Sequence, residues 1–270
     1  MPHTLHPAPS PRSQPAGDVN YGQLGAGYTA MRRTDPRIEL HVHAALGSAR
    51  TVLNVGAGSG SYEPTDREVI AIEPSAAMRE LRPPTRVPAI DAVAENLPLA
   101  DKGVDASMAL ITVHQWRDLH KGLAELRRVT RGPIVILAFD NDAFERFWLC
   151  EYAPELAAVQ HKRDPSIQTL VDAISTPARR ATVQPIHVPI DCIDGFVEAY
   201  YARPERFLDP AVTRAQSAWN FVGEGVLDRV VKQLAADLAS GSWEAAFGIW
   251  RKMPMYESSL RLIVGGDPLP

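Results

Sequence analysis

The sequence is short of cysteine. Cys150 and Cys192 are the only two in 270 residues, and neither belongs to a Cys-x-x-Cys pair. That excludes a disulfide framework and a cysteine-built zinc site, and reads as two free thiols of a cytoplasmic protein. No apolar run approaches the roughly 18 residues of a membrane-crossing helix. The opening MPHTLHPAPSPRSQPAG has no apolar core of the kind a signal peptide carries. Its prolines and polar residues predict a disordered tail over 1–18. There is no excess of positive charge: 28 Lys and Arg stand against 32 Asp and Glu, a formal net charge of −4. With no basic face to expect, nucleic acid is not an expected partner. A membrane is not expected either. No internal repeat is visible, and oligomeric state is not legible.

What is present is ordinary for a globule with a core: 45% hydrophobic and 22% charged residues. The chain is organised around Thr51 to Glu73, TVLNVGAGSGSYEPTDREVIAIE. Val52, Leu53 and Val55 predict a buried strand. Gly56, Gly58 and Gly60 follow as a turn through which backbone can approach a ligand closely. Val69 to Ile72 predict a second strand ending at Glu73, where a carboxylate can accept hydrogen bonds from two ribose hydroxyls.

Upstream, Tyr21, Leu24, Tyr28 and Met31 recur near helical spacing, and Asp35-Pro36 opens a helix that Gly47 stops. Arg32 or Arg33 could meet a carboxylate there, or simply end a solvated helix. Downstream, Pro74-Ser75 starts a helix that places Met78 one turn in. Ala89 to Ala92 predicts a short third strand and Val104 to Ile111 a fourth. Asp118 caps a helix from Leu119 to Val129, and Ile134 to Phe139 is a fifth strand. Strand and helix alternating at this spacing predict an α/β fold with a parallel sheet. From residue 140 the character changes. Helical patterns dominate, apart from strands at Ile186 to Ile190 and Leu260 to Val264.

Asn54-Val55-Gly56-Ala57-Gly58-Ser59-Gly60, Glu73-Pro74-Ser75 with Met78, Ala94-Glu95-Asn96-Leu97-Pro98-Leu99, Val104-Asp105 and His114-Gln115-Trp116 with Asp118 follow one another in order. In this the chain resembles the class I S-adenosyl-L-methionine (SAM) dependent methyltransferases over residues 20–140. The resemblance implies a Rossmann-like, mostly parallel sheet of seven strands with an antiparallel last strand, here with an inserted helical cap. It implies SAM as cofactor and a methyltransferase that acts on a small-molecule acceptor. It implies lid helices over 19–50, a SAM-binding core over 51–140, a substrate-side cap over 141–257 including the strand at 186–190, and a last core strand and tail over 258–270. Gly56, Gly58 and Gly60 would face the methionine part of SAM, with Asn54 beside them. Glu73 would hold the ribose, Pro74 and Met78 would border the adenine, and Ala94 and Glu95 would lie at the base. Leu110 would offer backbone to the amino acid moiety. Tyr28 with Arg32 or Arg33 would form the lid over its carboxylate.

Three departures stand out. Asn54 replaces the usual acidic residue, so that position brings no charge to the SAM ammonium. Val93 stands where an Asp often contacts the adenine amino group. The connector Ser61 to Arg67 is too short for the usual crossover helix; one turn at most is expected, with Tyr62 and Pro64 covering the sheet.

Methyl transfer from a sulfonium needs alignment and exclusion of water, and no metal. His114, just past a strand end, is the candidate general base, with a packing role beside Trp116 as the alternative. His187, Tyr28, Tyr200 and Asp194 are further candidates. Asp140-Asn141-Asp142 resembles a metal-ligand run in part, but Asp142 with Glu145 fits a capping box for the next helix better. Trp148, Tyr200 and Trp219 are candidates for an acceptor pocket among aromatics that otherwise build core. Two other readings stay open. One is a SAM-binding protein that does not methylate, such as a cyclase or a structural partner. The other is a nicotinamide-dependent oxidoreductase, which Ser61 in place of a third spaced glycine disfavours.

Overall fold

A computed structural model describes residues 27–267 and 269 of the chain. The tail over 1–18, the helical positions Tyr21 and Leu24, and the Tyr28 side chain lie outside the described residues.

Each of the first elements forms for a local reason. In the helix Pro36–Leu46, Asp35 is the N-cap and accepts from the Arg37 N–H, Pro36 takes the first turn, and Gly47 at φ 58° stops it. Ile38, Val42 and Leu46, four residues apart, are its buried face. β1 (Thr51–Val55) and β2 (Glu68–Ile72) then pair in parallel. Between them the described chain makes turns and no helix. Tyr62, at φ 61°, is buried in the core under that gap, with Pro64 buried beside it. A short helix, Ala76–Glu80, follows β2, capped by Ser75.

β3 (Ala106–Leu110) and β4 (Pro133–Phe139) flank the helix Leu119–Val129. Asp118 caps that helix by accepting from the Lys121 N–H at 3.0 Å. Two further strands, β5 (Thr182–Pro189) and β6 (Met255–Gly266), complete one sheet in the order β2-β1-β3-β4-β6-β5. β1 to β4 are parallel, and β6 runs antiparallel to both β4 and β5.

Six strands form where the resemblance implies seven. The segment expected as the third strand contributes one parallel bridge, Ile90 to Ile72. Pro83, Pro84 and Pro88 precede it, and proline cannot donate to a ladder. The strand expected at 186–190 begins four residues earlier and forms the sheet edge.

Residues alternate between the two faces of β4. Val135 and Leu137 pack with the helix Pro36–Leu46 and the C-terminal helices, whereas Ile134 and Ile136 pack with the helices Leu119–Val129 and Ile167–Ile174. Helical segments between β4 and β5, and again between β5 and β6, build onto the first face, and their aromatics fill it. Among the described residues no helix is long and apolar enough to cross a membrane.

Candidate functional site

The carboxyl ends of β1, β2 and β3 open onto one cavity, about 670 Å³ of empty space counting the open solvent at its mouth. Its floor is the glycine loop. Gly56 has φ 70°, and a Cβ there would come within 2.0 Å of the Thr112 Oγ1, so the loop and the end of β3 close only around glycine. Glu73 ends β2 and is buried. Its Oε2 accepts from the Gly58 N–H and its Oε1 from the Ser75 N–H, both at 2.8 Å. Burial pushes its pKa up, while those two N–H groups pull it back. Met78 borders the same space, with its Cε against Gly58. A nucleoside with a polar tail fits these walls: a carboxylate for hydroxyls, a thioether for a ring, and loop backbone for polar groups.

The short connector buries a carboxylate against Asn54. Glu63, buried with 1% exposure, accepts from the Asn54 amide at 2.9 Å. A carboxylate can only accept, so the Nδ2 of Asn54 faces Glu63 and Oδ1 is its remaining acceptor end. Arg82 holds Glu63 through both carboxylate oxygens, at 2.9 and 2.8 Å. It also donates to the Gly58 carbonyl at 3.1 Å and the Val87 carbonyl at 2.9 Å. Arg86 donates to the Glu63 carbonyl at 2.6 Å. Two arginines that follow the short helix thus fasten the glycine loop where a crossover helix would otherwise pack.

The mouth is closed by a strap. Arg32 bridges Asp194 through backbone, and its Nε donates to the Asp194 carboxylate at 2.7 Å. The Tyr62 hydroxyl donates to the other oxygen of Asp194 at 2.8 Å. Arg32, Tyr62 and Asp194 all line the cavity.

Arg32 and Ile111 also line a second chamber, about 520 Å³ of empty space counting the open solvent at its mouth. Ile111 stands between the two at φ 53°, a left-handed conformation that a β-branched residue rarely adopts. Phe139, Phe144 and Phe196 give this chamber an aromatic wall. His114 enters from the other side, its Nδ1 3.5 Å from the Asp164 carboxylate. With Nδ1–H turned to that carboxylate, Nε2 carries the lone pair, and the Gln115 amide lies 3.3 Å from it. Glu198 is fully buried in the wall. Burial pushes its carboxyl up to about 7, against hydrogen bonds from the Ser259 hydroxyl and N–H and from Tyr256.

Of the residues expected at a cofactor, Arg32, Asn54, Gly56, Gly58, Glu73, Met78 and Leu110 line the first cavity. Gly60 lies behind it, against Glu63 and Arg86. Pro74 is half-buried outside the lining, and Arg33 is exposed. Ala94 packs under Gly122. Glu95 accepts from the Arg117 and Asp118 N–H groups and ties its loop to a helix start.

Trp148 and Tyr200 do not line the second chamber. Trp148 is buried among Phe147, Tyr152, Phe207 and Trp243, with its indole N–H on the Tyr201 carbonyl. Tyr200 packs on Phe207 beneath Arg203. Trp219 stands just behind the wall, donating to Gln216. His187 is exposed on β5. Asp140 caps the helix Asn141–Phe144, so the acidic run there begins a helix.

Sequence reasoning missed Glu63 with Arg82, Thr112, and Asp164 with Gln160 and Gln216. Glu63 carried no local mark, since its connector, Ser61 to Arg67, is largely polar and holds a second acidic residue, Asp66.

A methyltransferase domain family matches residues 53–136, the span of the first cavity's loops. No curated protein matches the chain. Among solved structures, a protein assigned as a methyltransferase of an antibiotic biosynthesis pathway in Anabaena variabilis aligns at 28% identity. The alignment covers 88% of this chain and 99% of that one, with a TM-score of 0.81. A SAM-dependent methyltransferase of Thermotoga maritima shares the fold at 17% identity, over 91% of this chain and 93% of that one, with a TM-score of 0.50. The glycine loop, the carboxylate ending β2 and the strand order all agree with these matches: residues 53–136 match a methyltransferase domain, and the chain has the fold of SAM-dependent methyltransferases, with S-adenosyl-L-methionine as its cofactor.

Proposed function

We propose that this methyltransferase acts on a small molecule held in the second chamber, with His114 as general base. The observation that carries this reading is the adjacency of the chambers, which share Arg32 and Ile111 and have His114 on the far wall of the second. S-adenosylmethionine supplies an electrophilic methyl group when bound.

The chain's own residues do the rest. Glu73 would accept the ribose hydroxyls, and Met78 would border the base. Gly56, Gly58, Asn54 and Leu110 would meet the amino acid arm, under the strap of Arg32 and Asp194. Tyr62, locked by its bond to Asp194, would help keep water out. His114 Nε2 would take the proton of the acceptor's hydroxyl or amine, and Asp164 would hold the ring. A small acceptor suits a chamber lined by Phe139, Phe144 and Phe196. The 28% identical relative from an antibiotic pathway supports the same scale of substrate.

The test is calorimetry with S-adenosylhomocysteine, followed by tritium-methyl transfer from labelled SAM into metabolite extracts. His114→Gln should leave the first unchanged and lower transfer about 10²- to 10⁴-fold. Binding without transfer to any acceptor would sink the reading, and full activity of His114→Gln would remove the base.

A further inference from the structure

The second chamber carries two buried polar side chains with atoms that no described residue satisfies. Gln216 is 4% exposed, and its Oε1 accepts from the Trp219 indole N–H at 2.9 Å. An indole N–H only donates, so this bond fixes the amide orientation and leaves Nε2 as the donor end, which has no partner. Gln160 is 7% exposed, and its Oε1 has no partner either. Both side chains line the chamber. They come from neighbouring elements, the helix Pro154–Arg163 and the turn Ser217–Phe221, which pack on one another. A buried donor or acceptor without a partner costs about 1–3 kcal/mol. Nothing else in the wall uses this pair: His114 is turned to Asp164, and Glu198 to Ser259.

Charge narrows the choice further. Two carboxylates, Asp164 and Glu198, face the same space. Of its two arginines, Arg32 is joined to Asp194, and Arg163 lies over the Phe221 ring at 4.2 Å. An anion entering this chamber meets the Asp164 carboxylate, and both arginines are already engaged elsewhere.

We infer that the acceptor is a neutral, ring-bearing molecule with a carboxamide-type group, whose carbonyl accepts from Gln216 Nε2 and whose N–H donates to Gln160 Oε1. The ring lies on Phe139, Phe144 and Phe196, and the atom to be methylated is a separate hydroxyl or amine on the His114 side. This rests on the reading that the second chamber holds the acceptor.

Four probes test the inference by calorimetry on protein saturated with S-adenosylhomocysteine: 3-hydroxybenzamide, 3-hydroxybenzoate, 3-hydroxyacetophenone and phenol. The benzamide should bind at least about tenfold more tightly than each of the others. Gln216→Glu keeps an acceptor for the Trp219 N–H and replaces only the orphan donor, so it should abolish that preference. Gln160→Leu should reduce it about tenfold while leaving the melting temperature of the free protein unchanged or raised, which a structural glutamine would not do. Equal binding of the four probes, or binding of none, overturns the inference while His114-dependent transfer still stands. So does a Gln160→Leu protein that melts several degrees lower. Failure of S-adenosylhomocysteine itself to bind overturns the functional reading instead.

Discussion

Replacing Arg82 by methionine removes the cation that holds the glycine loop, and the structure sets the size of the effect. The Glu63 and Arg82 side chains are 1% and 3% exposed, joined through both carboxylate oxygens. Arg82→Met would leave the Glu63 carboxylate buried with the Asn54 amide as its side-chain donor, and breaking such a pair from one side costs about 3–5 kcal/mol. Glu63→Gln should cost less, about 1–3 kcal/mol, because Arg82 keeps the Gly58 and Val87 carbonyls. The double variant removes both charges, so it should be more stable than Arg82→Met alone and lie well below the sum of the two single losses. Urea unfolding at constant m-value reads all three. Because Arg82 also pins the Gly58 carbonyl, affinity for S-adenosylhomocysteine should fall about tenfold in Arg82→Met. Two results would refute the reasoning: an Arg82→Met protein within 1 kcal/mol of the wild type, or strictly additive single and double variants.

Two further outcomes are expected. Gly56→Ala would force a Cβ to within 2.0 Å of Thr112 at φ 70°, so calorimetry should show cofactor affinity lowered by about a hundredfold or more; near-normal affinity would mean that the loop has another conformation within reach. Glu198 gives the protein a pH dependence. Its folded-state pKa is raised from 4.5 to about 7 by burial, so folding keeps a proton that the unfolded chain loses across this window. Stability should therefore fall by about 3 kcal/mol as pH rises from 4.5 through 7. Glu198→Gln should flatten that fall in urea titrations at several pH values, and an unchanged slope would clear Glu198 of the effect.

Much of the first cavity was legible because its signals are local. Strand, glycine turn and acidic strand end occupy one continuous stretch, and each step has its own cause: branched side chains, positive φ, a carboxylate at a strand end. The caps Asp35, Ser75 and Asp118 were equally local, each bonding an N–H two or three residues on. The segment around residue 90 shows the limit. Its apolar residues predicted a strand, but three prolines nearby leave it one bridge. The aromatics show another. Trp148 and Tyr200 carry no mark in sequence that separates core from pocket, and the packing put them in the core.

By itself the sequence determined an α/β sheet, the glycine loop with Glu73 at its rim, and the place of His114 just past β3. Tertiary structure alone decided that a carboxylate, Glu63, would be buried beside Asn54, because Arg82 reaches it from 19 residues away. It also decided that Asp164, Gln160 and Gln216 would meet His114 in one chamber. Those residues belong to separate helices and turns, and only the packing of those elements on the sheet fixes the distances between them.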